Sequence, residues 1–445
     1  MVFKNVGEEK YQEKLDKLLV QMKGKSKVSL MRNTCNLFRK RQDNSKDGKI
    51  DLRGFNEIIY IDREKQTADV GSRMTYDDFV KATLEEGYMP AIVPELKTIT
   101  VGGAVTGIGV ESSSFLEGLV HETLSEMDVL TADGNIVRCN ENENSDLFFG
   151  FPNSYGSLGY ATRLKVRIKP VKDFVRVRHI KYNDMGSFFE GIERFCSNDE
   201  FDFVDGTAFN DKEMYITVGK FFDKVSDTSD YTGMKIYYKS IKDKEVDNLK
   251  VYDYLWRWDT DWFWRSDTFG VQNPLVRSVW PKSKLGSETY HKIMRFSHKH
   301  PLLEKFTSSG ESVIQDAPIP IENCSEFLEF LQSEIGIKPI WICPIKKTDS
   351  ENKWPLYPLQ ADTFHLNFGF WGKVKTLGKN NGDNHYNRLV ENKIGELGGI
   401  KSLYSSSFYT EEEFWRIYDG DAYSRLKSKY DPNGKFRGLY EKAVE

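Results

Sequence analysis

The chain has 445 residues, 39% hydrophobic and 13% aromatic, enough for two or three domains with buried cores. Its 63 Lys and Arg against 67 Asp and Glu leave a net charge of −4, which excludes a dedicated basic nucleic-acid binder. Five cysteines, scattered and without a C-x-x-C pair, argue against a disulfide scaffold or a structural zinc centre and fit a reducing compartment.

Met1 to Lys10 holds no signal-peptide core, and no run approaches the roughly 20 apolar residues of a membrane helix. The expectation is a soluble, cytoplasmic protein, with peripheral membrane contact left open. Tyr11, Leu15, Leu18 and Leu19 give residues 8–23 a helical apolar face closed by Gly24. Lys27 to Leu30 predicts a strand. Asn56 to Ile61 and Thr67 to Val70 predict a hairpin around Asp62 to Lys65. Thr75 with Asp78 three residues on reads as a helix cap, with Gly87 as the stop.

Thr100-Val101-Gly102-Gly103-Ala104-Val105-Thr106-Gly107-Ile108-Gly109-Val110-Glu111-Ser112, running on into Ser113 and Ser114, packs four glycines and several hydroxyls into one segment. Glycine allows close backbone approach to a ligand, and bare N–H groups can cradle an anion. The segment predicts a pyrophosphate site.

Asp133-Gly134 between Met127–Leu130 and Asn135–Arg138 predicts a second hairpin, and Tyr160 to Pro170 alternates as a half-buried strand does. Beyond 171, strands are predicted at Val175–His179, Met214–Val218, Met234–Tyr238, Ile340–Ile342 and Phe364–Phe368. Helices are predicted at Ser287–Phe296, Cys324–Ile335 and 411–429, with a polar loop from Lys373 to Asp383 and a turn at Asp431 to Gly434.

The Walker pattern, G-x-G-x-x-G in a βαβ unit, H-E-x-x-H and G-x-S-x-G are all absent. The order and spacing of Pro94-Glu95-Leu96, Thr100-Val101-Gly102-Gly103, Gly118, Ala132-Asp133-Gly134, Asn144-Ser145-Asp146-Leu147-Phe148 and Gly156-Ser157-Leu158-Gly159 resemble the flavin domain of the vanillyl-alcohol-oxidase (p-cresol-methylhydroxylase, PCMH) superfamily. Within it, Gly107 to Ser114, Val137-Arg138-Cys139, Glu143 to Phe148, Val313 to Asp316, Pro339 to Pro344, and Glu413-Phe414-Trp415 with Asp419-Gly420 and Tyr423 resemble the Δ24-sterol reductase family.

That resemblance implies an α+β fold: a PCMH-type FAD-binding domain over 1–170, a substrate or cap domain over 171–400, and a C-terminal segment, 401–445, returning to the FAD domain. It implies noncovalent FAD and NADPH-dependent reduction of an isolated C=C bond in a sterol or other lipid. A methylene-fatty-acyl lipid is a variant of that substrate. An FAD-dependent oxidase or dehydrogenase of a hydroxyacid or alcohol is the alternative, and a non-catalytic flavin-fold protein that binds lipid or a partner the third.

Two departures stand out. Eukaryotic sterol reductases of this family carry an N-terminal membrane helix that this sequence lacks, and the segment Met31 to Asn36 has no glycine where many superfamily members have a Gly-rich loop.

The candidate cofactor-binding residues are Thr100, Val101, Gly102, Gly103, Thr106, Gly107, Ile108, Gly109, Val110, Glu111, Ser112, Ser113 and Gly118, with Gly156 and Gly159 toward the adenosine half. Arg32 and Lys40 are candidates to neutralise phosphate, and Cys35 lies in the first loop. Alkene reduction needs a proton as well as a hydride. His365 and Tyr418 are the candidate donors, and the Trp256–Trp264 and Phe368–Trp371 clusters candidate pocket walls.

Overall fold

The computed structural model describes residues 2–31, 36–39, 46–198, 200–297, 310–346, 354–375 and 384–444. The first helix runs Val2–Met22. Its Tyr11, Leu15, Leu18 and Met22, spaced at helical periods, bury against Val28, Ile50, Phe55 and Ile59. Val28–Leu30 pairs in parallel with Gly48–Ile50 to form a small two-stranded sheet.

A six-stranded antiparallel sheet is centred on Tyr160–Pro170. The hairpin Ile58–Asp62/Thr67–Gly71 lies on one side, the hairpin Leu124–Leu130/Ile136–Cys139 on the other, and Tyr88–Pro90 pairs at its far end. Gly134, at φ 87°, makes the second hairpin's turn. At the sheet's centre, Arg163 is ion-paired with Asp69, Glu126 and Asp128.

A seven-stranded sheet follows, antiparallel throughout. Its strand order is Val246–Lys250, Phe174–Tyr182, Glu213–Phe222, Phe203–Asn210, Ile340–Ile345, His365–Val374 and Glu311–Pro320. The two-residue strand period divides its faces. Ile340, Ile342, Phe368 and Phe370 pack under the helices Met185–Cys196, Cys324–Phe330 and His385–Glu396. Trp341, Cys343 and Trp371 point the other way, into the large aromatic core. Across three strands, Trp341 and Asp316 both sit opposite Gly369. A Cβ there would come within 2.7 Å of Asp316 Oδ1 and 3.1 Å of Trp341.

The C-terminal segment bonds back to the first part of the chain. Lys427 Nζ donates to Ser157 O at 2.7 Å, Lys442 Nζ to Gly156 O at 2.8 Å, and Val28 N to Lys435 O at 3.0 Å.

Several elements differ from the sequence reading. Met234–Tyr238 is not a strand: Ile236 caps a helix, Tyr237–Asp243, whose Tyr237 and Ile241 fill the core. The helix expected over 411–429 is broken into Glu411–Ile417 and Gly420–Tyr430 by Asp419, whose backbone turns left-handed at φ 42° and whose carboxylate caps Ala422 N. Cys324–Phe330 continues as a π turn over Leu331–Ile335. Lys373 and Val374 still belong to a strand, while 376–383 of the expected loop lie outside the described residues. No described helix is long and apolar enough to cross a membrane.

Candidate active site

Three glycines notwithstanding, Val101–Gly107 is a helix. Tertiary partners hold its first turn. Val101 N donates to Met74 O and Gly102 N to Ser72 O, both at 2.9 Å, while Thr100 Oγ1 accepts from Gly103 N at 3.2 Å. Ile108 closes it in a left-handed conformation, and Gly109 N returns to Ala104 O at 3.0 Å. These amides are therefore spent within the protein and do not form the bare N–H cradle expected from the sequence. Thr100→Ala should remove the cap and cost about 1 kcal/mol, read as a lower urea midpoint with an unchanged m-value.

The glycines serve by lacking a side chain. A Cβ on Gly102 would meet Ser72 O at 2.9 Å, and one on Gly109 would meet Val120 at 2.7 Å. Gly107 instead turns a bare face to a cavity of ≈ 500 Å³, which Gly103 also lines, although a Cβ on Gly103 would come within 2.9 Å of Thr100 Oγ1. Thr100, Gly102, Ala104, Thr106, Ile108, Gly109, Val110, Gly156 and Gly159 line it as well.

The basic side chains Arg39, Lys49, Arg73, Arg437 and Lys442 line the cavity. Arg39 lies over the Tyr155 ring, 4.7 Å from its centre, and Lys442 Nζ reaches Tyr155 O at 3.2 Å. Tyr155 Oη is buried beside the glycine helix with no hydrogen-bond partner among the described residues. Elsewhere the wall is aromatic, formed by Phe38, Phe263, Trp264, Trp341, Trp371 and Tyr404. Phe263 is held at φ 60°, beside Trp262 at φ 48°, a left-handed pair that bulky residues adopt only when their surroundings force it. There Trp371 Nε1 donates to Tyr404 Oη at 3.1 Å, and Tyr404 donates to Asp316 Oδ2 at 2.6 Å.

Not every candidate reaches this wall. Val101 is buried in the core and Gly118 packs on Glu122. Ser113 donates to Ala91 O at 3.0 Å. His365 sits at a strand start with Nδ1 3.1 Å from Thr363 O, in a separate recess beside Gln360 and Glu391, and burial lowers its basicity. Tyr418 is fully buried and donates to Lys401 O at 2.7 Å. The structure brings neither to the cavity. Trp256, Trp258 and Trp262 are core residues, whereas Phe263 and Trp264 line the wall. Arg32, Cys35 and Lys40 lie outside the described residues.

Glu111 and Ser112 belong to a cluster that sequence reasoning missed. Arg257, 2% exposed, donates from Nη2 to Asp205 Oδ2 at 2.7 Å and to Glu111 Oε1 at 3.1 Å. Ser112 Oγ donates to Glu111 Oε1 at 2.6 Å. Burial pushes the Asp205 carboxyl up to about 6 despite Arg257. Burial, and then the charge of Glu111, push Glu95 well above the usual carboxylate range. The only sequence hint was an arginine set between Trp256 and Trp258, flanked too closely by apolar residues for a surface base. Among the described residues no His, Cys, Asp and Glu group is arranged to hold a metal ion.

A family model described as an FAD binding domain matches residues 23–140. The Δ24-sterol reductase of Macaca fascicularis is 27% identical over 405 residues, covering 87% of this chain and 76% of that protein. The Δ24-sterol reductase of Arabidopsis thaliana is 27% identical over 439 residues, covering 89% and 76%. Cytokinin dehydrogenase 7 of Oryza sativa subsp. japonica is 31% identical over 142 residues, covering 31% and 27%.

The chain carries an FAD-binding domain and is related to the Δ24-sterol reductases over most of its length. The cavity fits FAD. Gly107 leaves room for close approach, the basic side chains suit phosphates, the buried Tyr155 hydroxyl has no hydrogen-bond partner among the described residues, and the aromatic wall suits a flat ring system.

Proposed function

We propose that the protein is an FAD-dependent oxidoreductase that reduces an isolated C=C bond of a Δ24-sterol or a similar apolar lipid with NADPH. One observation carries this reading. The likeness to sterol reductases covers 87% of the chain, including the seven-stranded sheet, whereas the likeness to a cytokinin dehydrogenase covers only 31%. FAD, when bound, relays hydride from NADPH to the lipid. Thr100, Gly103, Thr106, Gly107, Ile108 and Tyr155 would lie along the dinucleotide, with Gly156 and Gly159 toward its adenosine half. Lys442, Arg437 and Arg39 would offset phosphate charge. The aromatic wall would exclude water from the reacting carbons and orient the lipid.

Anaerobic mixing tests this. The FAD-loaded protein should be bleached by NADPH and regain its yellow colour with a Δ24-sterol. Bleaching by a hydroxyacid or alcohol, with none by NADPH, would favour the dehydrogenase chemistry instead.

A further inference from the structure

Among the described residues three acidic side chains border the cavity: Asp47, Glu95 and Asp316. Two are already committed. Asp47 is ion-paired with Arg437 at 3.3 Å. Asp316 accepts from Tyr404 at 2.6 Å and from Asn367 Nδ2 at 2.8 Å. Glu95 differs. It is 6% exposed, and its Oε1 is buried without a donor among the described residues.

Among the described residues the group within hydrogen-bonding reach of Glu95 is another carboxyl, Glu111, whose Oε2 likewise has no donor there. Two carboxylates cannot bond each other, so a paired set of this kind shares a proton. Behind the pair stand Arg257 and Asp205, and the Tyr254, Tyr237 and Cys343 groups also face the cluster. Three buried carboxyl groups thus surround one guanidinium. Charge balance in a dry site requires at least one of them to hold a proton. Asp205 in turn lies beside the Trp341 indole, which lines the aromatic wall. Glu95 itself lines the cavity, so the cluster stores a proton at the cavity wall and runs from there to Trp341.

We propose that Glu95 is the proton donor to the substrate's double bond, with Glu111 as its positioning partner. This rests on the reductase reading given above. One alkene carbon gains a C–H bond from the hydride that NADPH supplies. The π pair forms the second C–H bond by taking the proton from Glu95, whose O–H bond breaks. Arg257 holds the carboxylates left behind until water returns a proton. Each turnover consumes one NADPH and one proton and yields NADP⁺ and the saturated chain.

Burial raises the proton affinity of Glu95 further, which keeps the donor loaded near neutral pH. Asp316 is less suited: burial raises its proton affinity too, but both of its oxygens accept from donors, Asn367 and Tyr404, that favour its charged form.

The test separates the two half-reactions. E95Q should be bleached by NADPH at the wild-type rate, yet be reoxidised by a Δ24-sterol at least about 10²-fold more slowly. E95D should recover part of that loss and move the basic limb of the reoxidation pH profile. E111Q should shift the same limb while NADPH bleaching persists. Independently of turnover, the infrared spectrum at neutral pH should contain a protonated-carboxyl C=O band that E95Q lacks.

Wild-type reoxidation rates in E95Q, or an unchanged carboxyl band, would overturn the assignment. If E95Q fails to hold FAD, E95D and the infrared band decide the matter. A wild-type protein that NADPH cannot bleach would sink the reductase reading instead, and the band alone would then decide whether Glu95 stores a proton.

Discussion

Gly107→Leu should yield a folded protein that purifies without flavin. Gly107 is the last residue of the helix Val101–Gly107, and its backbone is not in the left-handed region. A Cβ there meets only Tyr155 Oη, at 3.7 Å, which is ordinary contact. The apoprotein therefore accepts the new side chain, and leucine's better helix propensity adds up to about 0.8 kcal/mol. The rest of the leucine projects into the cavity that Gly107 and Tyr155 border. Forcing a ligand past such a group costs about 1–3 kcal/mol, or roughly 5- to 150-fold in affinity. The measurements are flavin absorbance after desalting, FAD titration and the melting temperature of the apoprotein. A yellow variant with wild-type affinity would remove Gly107 from the cofactor site. A colourless variant with a much lower melting temperature would mean that the helix, not the cavity, had been damaged.

The contrast between Gly107 and its neighbours shows where sequence reasoning reaches and where it stops. Local chemistry was readable. Asp133-Gly134 sits in the turn of its hairpin, Thr75 accepts from Asp78 N at 3.2 Å, and Tyr160–Pro170 has the limits its alternation predicts. Those features depend on residues close in sequence. The glycine segment misled because its helix is fixed from outside, by the carbonyls of Ser72 and Met74. Gly102 and Gly109 are there for packing, and only the spatial neighbours Ser72, Val120 and Pro94 reveal that. Asp419 divides a stretch whose apolar spacing is continuous, because its left-handed backbone starts a second helix.

His365 and Tyr418 attracted attention by residue type, and their partners, Thr363 O and Lys401 O, are backbone groups invisible in a pattern. The acid cluster was least legible. Glu95, Glu111, Asp205 and Arg257 come from four separate segments and meet only in the fold. Glu95 stood within a family motif, but nothing in Pro94-Glu95-Leu96 says that a second carboxyl lies against it.

Arg257→Met should be the most destabilising of these substitutions, and its effect should depend on pH. Arg257 is buried with Glu111 and Asp205, and methionine keeps much of its volume while removing the charge and the fork of donors. Breaking a buried pair costs about 3–5 kcal/mol, because the remaining charges stay uncompensated. That is a large share of the roughly 5–15 kcal/mol that holds a typical protein folded, so a sharp fall in melting temperature and soluble yield is expected.

Asp205 has its ordinary value, 3.8, when unfolded and is pushed to about 6 when folded. Between these values the folded chain binds a proton that the unfolded chain does not. Its stabilising contribution is complete below the unfolded value and is lost as pH rises through the folded one. Removing the guanidinium that opposes burial raises the folded value further, so the variant loses more of this contribution at pH 7.5 than the wild type does. The gap in melting temperature should therefore narrow from pH 7.5 to pH 5. Arg257→Lys should fall between the two, since one ammonium keeps the charge but not the planar fork. A gap that is constant or widens on acidification would show that Arg257 holds the site by packing, and that the carboxyl groups around it carry no shared burden of charge.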